Sequence, residues 1–170
     1  AVAVPGHGIL ACVAGATDKE IAEAIYAKKS GGCAMGGNTE HTVYWTDPYG
    51  DAVPYPVRFE RPADLAFRFR VALYTTSETP ADIETRIPAA IVKTFYGQNG
   101  QTPGVSRVRM GNTVYASRFY GAVITAGASD VVEIKLDVFP EPEAGPDWRD
   151  FIETRINQLP VLDEASVVVE

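Results

Sequence analysis

One segment constrains the chain more than any other: Leu65, Phe67, Phe69, Val71 and Leu73 alternate with Ala66, Arg68, Arg70, Ala72 and Tyr74. A period of two over that many residues belongs to a strand with one face in a core and the other in solvent. Val132, Ile134, Leu136 and Val138 alternate with Glu133, Lys135 and Asp137 in the same way, so the chain carries sheet that something must cover. Helical patterns supply the cover. Thr17 and Glu20 make a Thr-x-x-Glu capping box, Ile21 and Ile25 lie one turn apart, and Lys28 and Lys29 stand at the negative end before Gly31, which predicts a first helix. Further on, Thr79-Pro80 is a start signal, and Ile83, Ile87, Ile91 and Phe95 form a stripe ending at Gly97. Pro88 interrupts that stripe by removing a helix hydrogen bond, so the second helix is expected from Pro88 onward. Asn112 is expected to cap a third helix through Val114, Ala116, Phe119, Val123 and Ile124, ended by Gly127.

The remaining stretches read as strands and turns. Gly8 to Ala14 is a short apolar run, and Ser30-Gly31-Gly32-Cys33-Ala34-Met35-Gly36-Gly37-Asn38, with four glycines in nine residues, is read as a loop. Thr42 to Thr46, the turn Asp47-Pro48-Tyr49-Gly50-Asp51, and Val53, Tyr55, Val57 and Phe59 describe a hairpin. Pro54 and Pro56 donate no ladder hydrogen bonds, so that returning strand needs a free edge or a bulge. Pro140 to Pro146 is an exposed acidic loop. Asp147 to Leu159 fits helix or strand until Pro160, and Val167-Val168-Val169 is a last strand. The result is an α+β protein of two small lobes, 1–77 and 78–170, each with helix packed on a short, mainly antiparallel or mixed sheet.

Composition narrows the function classes. Fifteen Lys and Arg against 22 Asp and Glu give a net charge of -7 and a pI near 4.9, which repels nucleic acid. No apolar run approaches the length that crosses a bilayer, so neither nucleic acid nor membrane is an expected partner. Cys12 and Cys33 are too few for a disulfide framework, which fits assembly in a reducing cytosol. The chain opens on Ala1 rather than Met and is read as a piece cut from a longer protein.

Catalytic readings fail one by one. The glycine-rich segment follows a helix and enters a strand, the reverse of a phosphate loop, and lacks Gly-Lys-Ser or Gly-Lys-Thr. His7 and Cys12, five residues apart on one strand, would point to opposite faces. Cys33 and His41 could meet only if the loop folded back, and one thiol with one imidazole is a weak metal or catalytic signal. Gly104-Val105-Ser106-Arg107-Val108 misses the last glycine of a nucleophile elbow. Glu141 and Glu143 sit in a proline-rich loop rather than on converging strand ends. Arg58, Arg68 and Arg70, with Glu60 near, read as cross-strand ion pairs or a partner surface. Among the aromatics, Tyr44, Trp45, Tyr49, Tyr55, Tyr115, Phe119, Tyr120 and Trp148 include several that periodicity leaves partly exposed, as interface residues are. No residue is assigned a catalytic, cofactor-binding or metal-ligating role, and no cofactor or small-molecule substrate is expected.

One resemblance covers most of the chain. Pro5-Gly6-His7-Gly8-Ile9, Cys12-Val13-Ala14-Gly15, Thr17-Asp18-Lys19-Glu20-Ile21, Lys28-Lys29-Ser30-Gly31-Gly32-Cys33, Gly36-Gly37-Asn38-Thr39 and Val57-Arg58-Phe59-Glu60-Arg61-Pro62 resemble the phage baseplate J-like family, in its Mu-type and P2-type versions. Val114-Tyr115-Ala116-Ser117-Arg118-Phe119-Tyr120 and Leu159-Pro160-Val161-Leu162-Asp163 extend the likeness toward the end. Family members are longer, and this chain is similar to their middle-to-C-terminal part. The resemblance implies a noncatalytic wedge component of a bacteriophage or prophage tail baseplate, assembled in the host cytoplasm and contacting other baseplate subunits and itself in a ring. The rival expectation is a cell-envelope glycan-binding module or hydrolase with Tyr and Trp faces against sugar.

Overall fold

The computed structural model describes residues 4, 6–98, 107–128, 130–139 and 145–170. It is α+β, with ten strands in several small sheets and three α-helices among those residues. The chain divides between Ala63 and Asp64 into two compact units.

In the first unit, β1 (Gly8–Leu10) pairs in parallel with β2 (Ala34–Gly36). The glycine-rich segment is therefore not all loop: three of its residues form a strand. Helix α1 (Asp18–Lys28) starts as the sequence dictates, with Thr17 Oγ1 accepting from the Glu20 amide at 3.3 Å and the Glu20 carboxylate accepting from the Thr17 amide at 2.8 Å. It ends at Lys29, two residues before Gly31. Strands β3 (Thr39–Thr46) and β4 (Ala52–Phe59) form an antiparallel hairpin without a bulge. Ile21 and Ala22 of α1 pack on Val57 and Phe59 of β4, with Val43 and Tyr55 half-buried beside them.

The register explains how β4 tolerates two prolines. Asp47 donates its amide to the Asp51 carbonyl at 2.9 Å, so every second pair from there, Trp45 with Val53 and Val43 with Tyr55, is hydrogen-bonded. Pro54 and Pro56 fall between, opposite Tyr44 and Thr42, where amides face away from the partner strand. The free-edge alternative is the one realised. Beyond Phe59, Glu60 uses its outward amide and carbonyl on Ala11 and Val13, at 2.8 and 3.0 Å.

Two further contacts close this unit. Gly37 has φ 141°, and a Cβ there would lie 2.1 Å from the Phe59 carbonyl, so only glycine fits. Arg61 spreads its guanidinium over the carbonyls of Gly15 (2.7 Å), Ala16 (2.9 Å) and Val13 (3.3 Å) and the Asp18 carboxylate (2.6 Å).

In the second unit, β5 (Ala63–Leu73) is the central strand, flanked by antiparallel β7 (Val131–Phe139) and parallel β10 (Val167–Val169), with β9 (Gln158–Val161) also pairing to β5. The expected first lobe, 1–77, includes β5, whereas the division of the chain falls at its start. The strand belongs instead to the second unit, because all its ladder partners are there. Phe67, Phe69 and Val71 of β5 and Ile134 and Leu136 of β7 face helix α2 (Ile83–Phe95), whose Ile83, Ile87, Ile91 and Phe95 are buried. Phe69 stacks edge-on against Phe119 at 4.7 Å.

Three local expectations change. Helix α2 continues unbroken through Pro88. Proline costs one backbone hydrogen bond there, and burial of Ile87, Pro88 and Ile91 on the sheet outweighs it. The Asn112 segment forms strand β6 (Thr113–Tyr115), a 3-10 turn at Ala116–Phe119 and a short α3 (Tyr120–Thr125) rather than one helix. Asp147 to Leu159 resolves to extended structure: β8 (Phe151–Glu153) pairs antiparallel with β6, and Pro160 lies within β9 rather than ending it. The dipeptides Asn99-Gly100 and Pro103-Gly104, which the sequence marks as turns, like Pro140 to Ala144, lie outside the described residues.

Two outcomes follow for the first unit. Arg61→Lys keeps the charge but loses the fork that reaches several carbonyls at once, and should lower stability by about 2 kcal/mol. Urea unfolding followed at Trp45 in a Trp148→Phe background measures it. The Thr17 amide and hydroxyl hold the Glu20 carboxyl below its usual value of 4.5. Its folded pKa is thus depressed, so the cap's contribution is complete above the unfolded value and fades as pH falls through the folded one. The same unfolding experiment repeated at acid pH should show wild type losing more stability than Glu20→Gln.

Candidate functional site

Among the described residues, the histidines and cysteines take separate places. His7 sits at a positive φ of 57°, and its carbonyl accepts a hydrogen bond from the Cys33 thiol at 3.4 Å. Cys33 thus meets the backbone of His7 rather than the imidazole of His41. Cys12 bridges to Glu60 across the parallel contact with the end of β4. Burial and, after it, the nearby Glu60 charge push its thiol pKa up, which keeps it protonated and a poor nucleophile. His41 lies on β3 in a groove with Lys19 and Glu23 of α1 and with Thr42, Val43 and Tyr44. Among the described residues, no group of three or more His, Cys, Asp and Glu side chains could hold a metal ion. Glu141 and Glu143 lie outside the described residues.

The arginines resolve into separate pairs. Arg58 and Glu40 sit directly opposite each other on the hairpin and join at 2.6 Å. Glu60 turns inward instead of joining them, is buried, and accepts from the Asn38 amide at 2.9 Å. In the second unit, the face of the sheet turned away from α2 carries Arg68 opposite Asp137 and Arg70 opposite Lys135. Arg70 binds Glu133 at 2.6 Å, and Lys135 binds Asp150 at 2.8 Å. The Asp150 hydrogen bond, foremost, raises the Lys135 pKa, so this amine stays charged. Trp148 covers the cluster, with the Arg70 and Arg68 guanidiniums 5.4 and 5.7 Å from its ring. This is a charge ladder sealed by an indole, a way of finishing an exposed sheet face.

What stays open is aromatic. On the hairpin, Tyr44, Trp45 and Tyr49 are 68, 46 and 92% exposed. Trp45 and Val53 extend the helix-facing side, Tyr44 and Pro54 occupy the opposite side, and Tyr49 lies in the turn. Several other aromatics from the sequence list are spent on structure. Phe119 is in the core, and the Tyr120 hydroxyl accepts the Ile134 amide at 3.1 Å. Tyr115 and Phe151 pair across β6 and β8 with centroids 5.9 Å apart, both half-exposed.

Sequence reasoning missed the Arg61 clasp and the open outer margin of β3. The first needed knowledge of three converging carbonyls. The second was signalled by prolines confined to the other strand.

No family model matches the chain, and no curated protein matches it. The hairpin carries exposed large side chains on both faces.

Cys12 gives this unit a chemical check. In a Cys33→Ala background, iodoacetamide at mildly alkaline pH should label folded Cys12 more slowly than the urea-unfolded chain, and the gap should narrow as pH rises.

Proposed function

We propose that this chain is a noncatalytic structural component of a bacteriophage or prophage tail baseplate, working as part of a wedge. It would act by burying surface against other baseplate subunits and copies of itself. The observation that carries the reading is the hairpin arm. Tyr44, Trp45, Tyr49 and Val53 are large hydrophobic side chains exposed on one hairpin, and aromatic anchors of this kind supply much of the energy of protein interfaces. The resemblance of the first 62 residues to baseplate J-like sequences supports it from an independent side. Assembly would take place in the host cytoplasm, with the particle's tail as the final location.

The glycan-binding alternative asks for aromatic rings on one platform. Tyr44 and Trp45 project from opposite faces of the hairpin, so they do not combine into one stacking surface.

Mass spectrometry of purified tails from the phage or prophage encoding this chain should detect it in stoichiometric amount. Trp45→Ala with Tyr49→Ala, which leaves the buried core intact, should cut its incorporation roughly tenfold, in keeping with interface anchors. A chain absent from tails, or one that binds peptidoglycan fragments at micromolar affinity and loses that binding on Trp45→Ala, would overturn the proposal.

A further inference from the structure

The geometry points to a second copy of this chain as the partner of the outer margin of β3, joined edge to edge about a twofold axis. The two margins of the hairpin are not equivalent. On β4 the outward positions are Ala52, Pro54, Pro56, Arg58 and Glu60; the two prolines donate nothing and Glu60 is already bonded to Ala11 and Val13, which breaks the row of donors in its middle and at its end. On β3 the outward positions are Glu40, Thr42, Tyr44 and Thr46, each with an amide and a carbonyl, and among the described residues β3 pairs only with β4. An unpaired row of this kind is a template for an added strand.

The choice of occupant rests on charge and register. An antiparallel pairing centred on Val43 sets Thr42 against Tyr44 of the second copy and Glu40 against Thr46, so no like charges meet. On the helix-facing side it sets Val43 against itself and His41 against Trp45, covering an indole that is 46% exposed in the single chain. An axis perpendicular to the sheet keeps both α1 helices on one face and runs them antiparallel. The side of α1 that lines the groove beside β3 carries Lys19 and Glu23, one turn apart, loosely paired within the chain at 3.9 Å and both more than half exposed, so each can also reach a second copy. Twofold symmetry therefore brings Lys19 of each copy toward Glu23 of the other, which is the self-complementarity an isologous interface requires. This pairing stands whether or not the chain serves a baseplate.

Sedimentation equilibrium on the 170-residue chain tests it. Wild type should show a reversible monomer–dimer equilibrium, with Trp45 emission shifting to the blue as the dimer fills. Thr42→Pro removes an amide that points away from β4, so it should abolish the dimer while leaving far-UV circular dichroism unchanged. Lys19→Glu should weaken the dimer about tenfold, since two symmetric pairs turn repulsive, and Lys19→Glu with Glu23→Lys should restore it. A chain that stays monomeric at every concentration, a dimer indifferent to both Thr42→Pro and Lys19→Glu, or a β3 margin that captures only an extended segment of a different protein would each overturn it.

Discussion

The first unit depends on one guanidinium. The loop between β1 and α1 passes through positive φ at Gly15 (75°) and Ala16 (51°), which turns its carbonyls toward Arg61. Without a donor there, several backbone acceptors would have to be satisfied by water in the angle between strand and helix. Arg61 meets them together because its five N–H groups lie in one rigid plane. Its own backbone is held in turn, its amide donating to Asn38 Oδ1 at 2.8 Å and its carbonyl accepting from Asn38 Nδ2 at 2.9 Å. One residue thus ties the end of β4 to the loop before α1 and to the turn before β3. The helix can then lay Ile21 and Ala22 on Val57 and Phe59.

The second unit is organised differently, by an apolar layer. Phe67, Phe69, Phe95 and Phe119 form a set of edge-to-face and stacked rings between sheet and helix, and such rings add specificity to the area they bury. The opposite face of the same sheet is left to alternating charges. Asp137 is buried there, and its Oδ2 has no hydrogen-bond partner among the described residues, with Arg68 opposite it on β5. Both faces trace to the same alternation in β5 and β7.

That alternation was also the most legible part of the sequence. Period two identified β5 and β7, the capping box identified α1, and the turn at Asp47 to Asp51 identified the hairpin, because each signal is local. The errors fell where distant packing overrides local preference. Pro88 argues for a helix start, but the buried stripe around it keeps α2 whole. The stretch after Asn112 has helical spacing, but Val114 and Tyr115 find ladder partners in Ile152 and Phe151, nearly forty positions away. Gly36 sits in a run that reads as loop, yet it is buried because β1 lies beside it. For the candidate surface, sequence identified the aromatic residues but not their division between two faces, which depends on the hairpin register.

The placement of proline on only one strand of the hairpin has a consequence for how large any assembly can grow through it. A fibre needs two adhesive sides on every building block, one to attach and one to receive. On this arm the margin of β4 is interrupted at Pro54 and Pro56 while that of β3 is not, so the two sides are unequal as building edges.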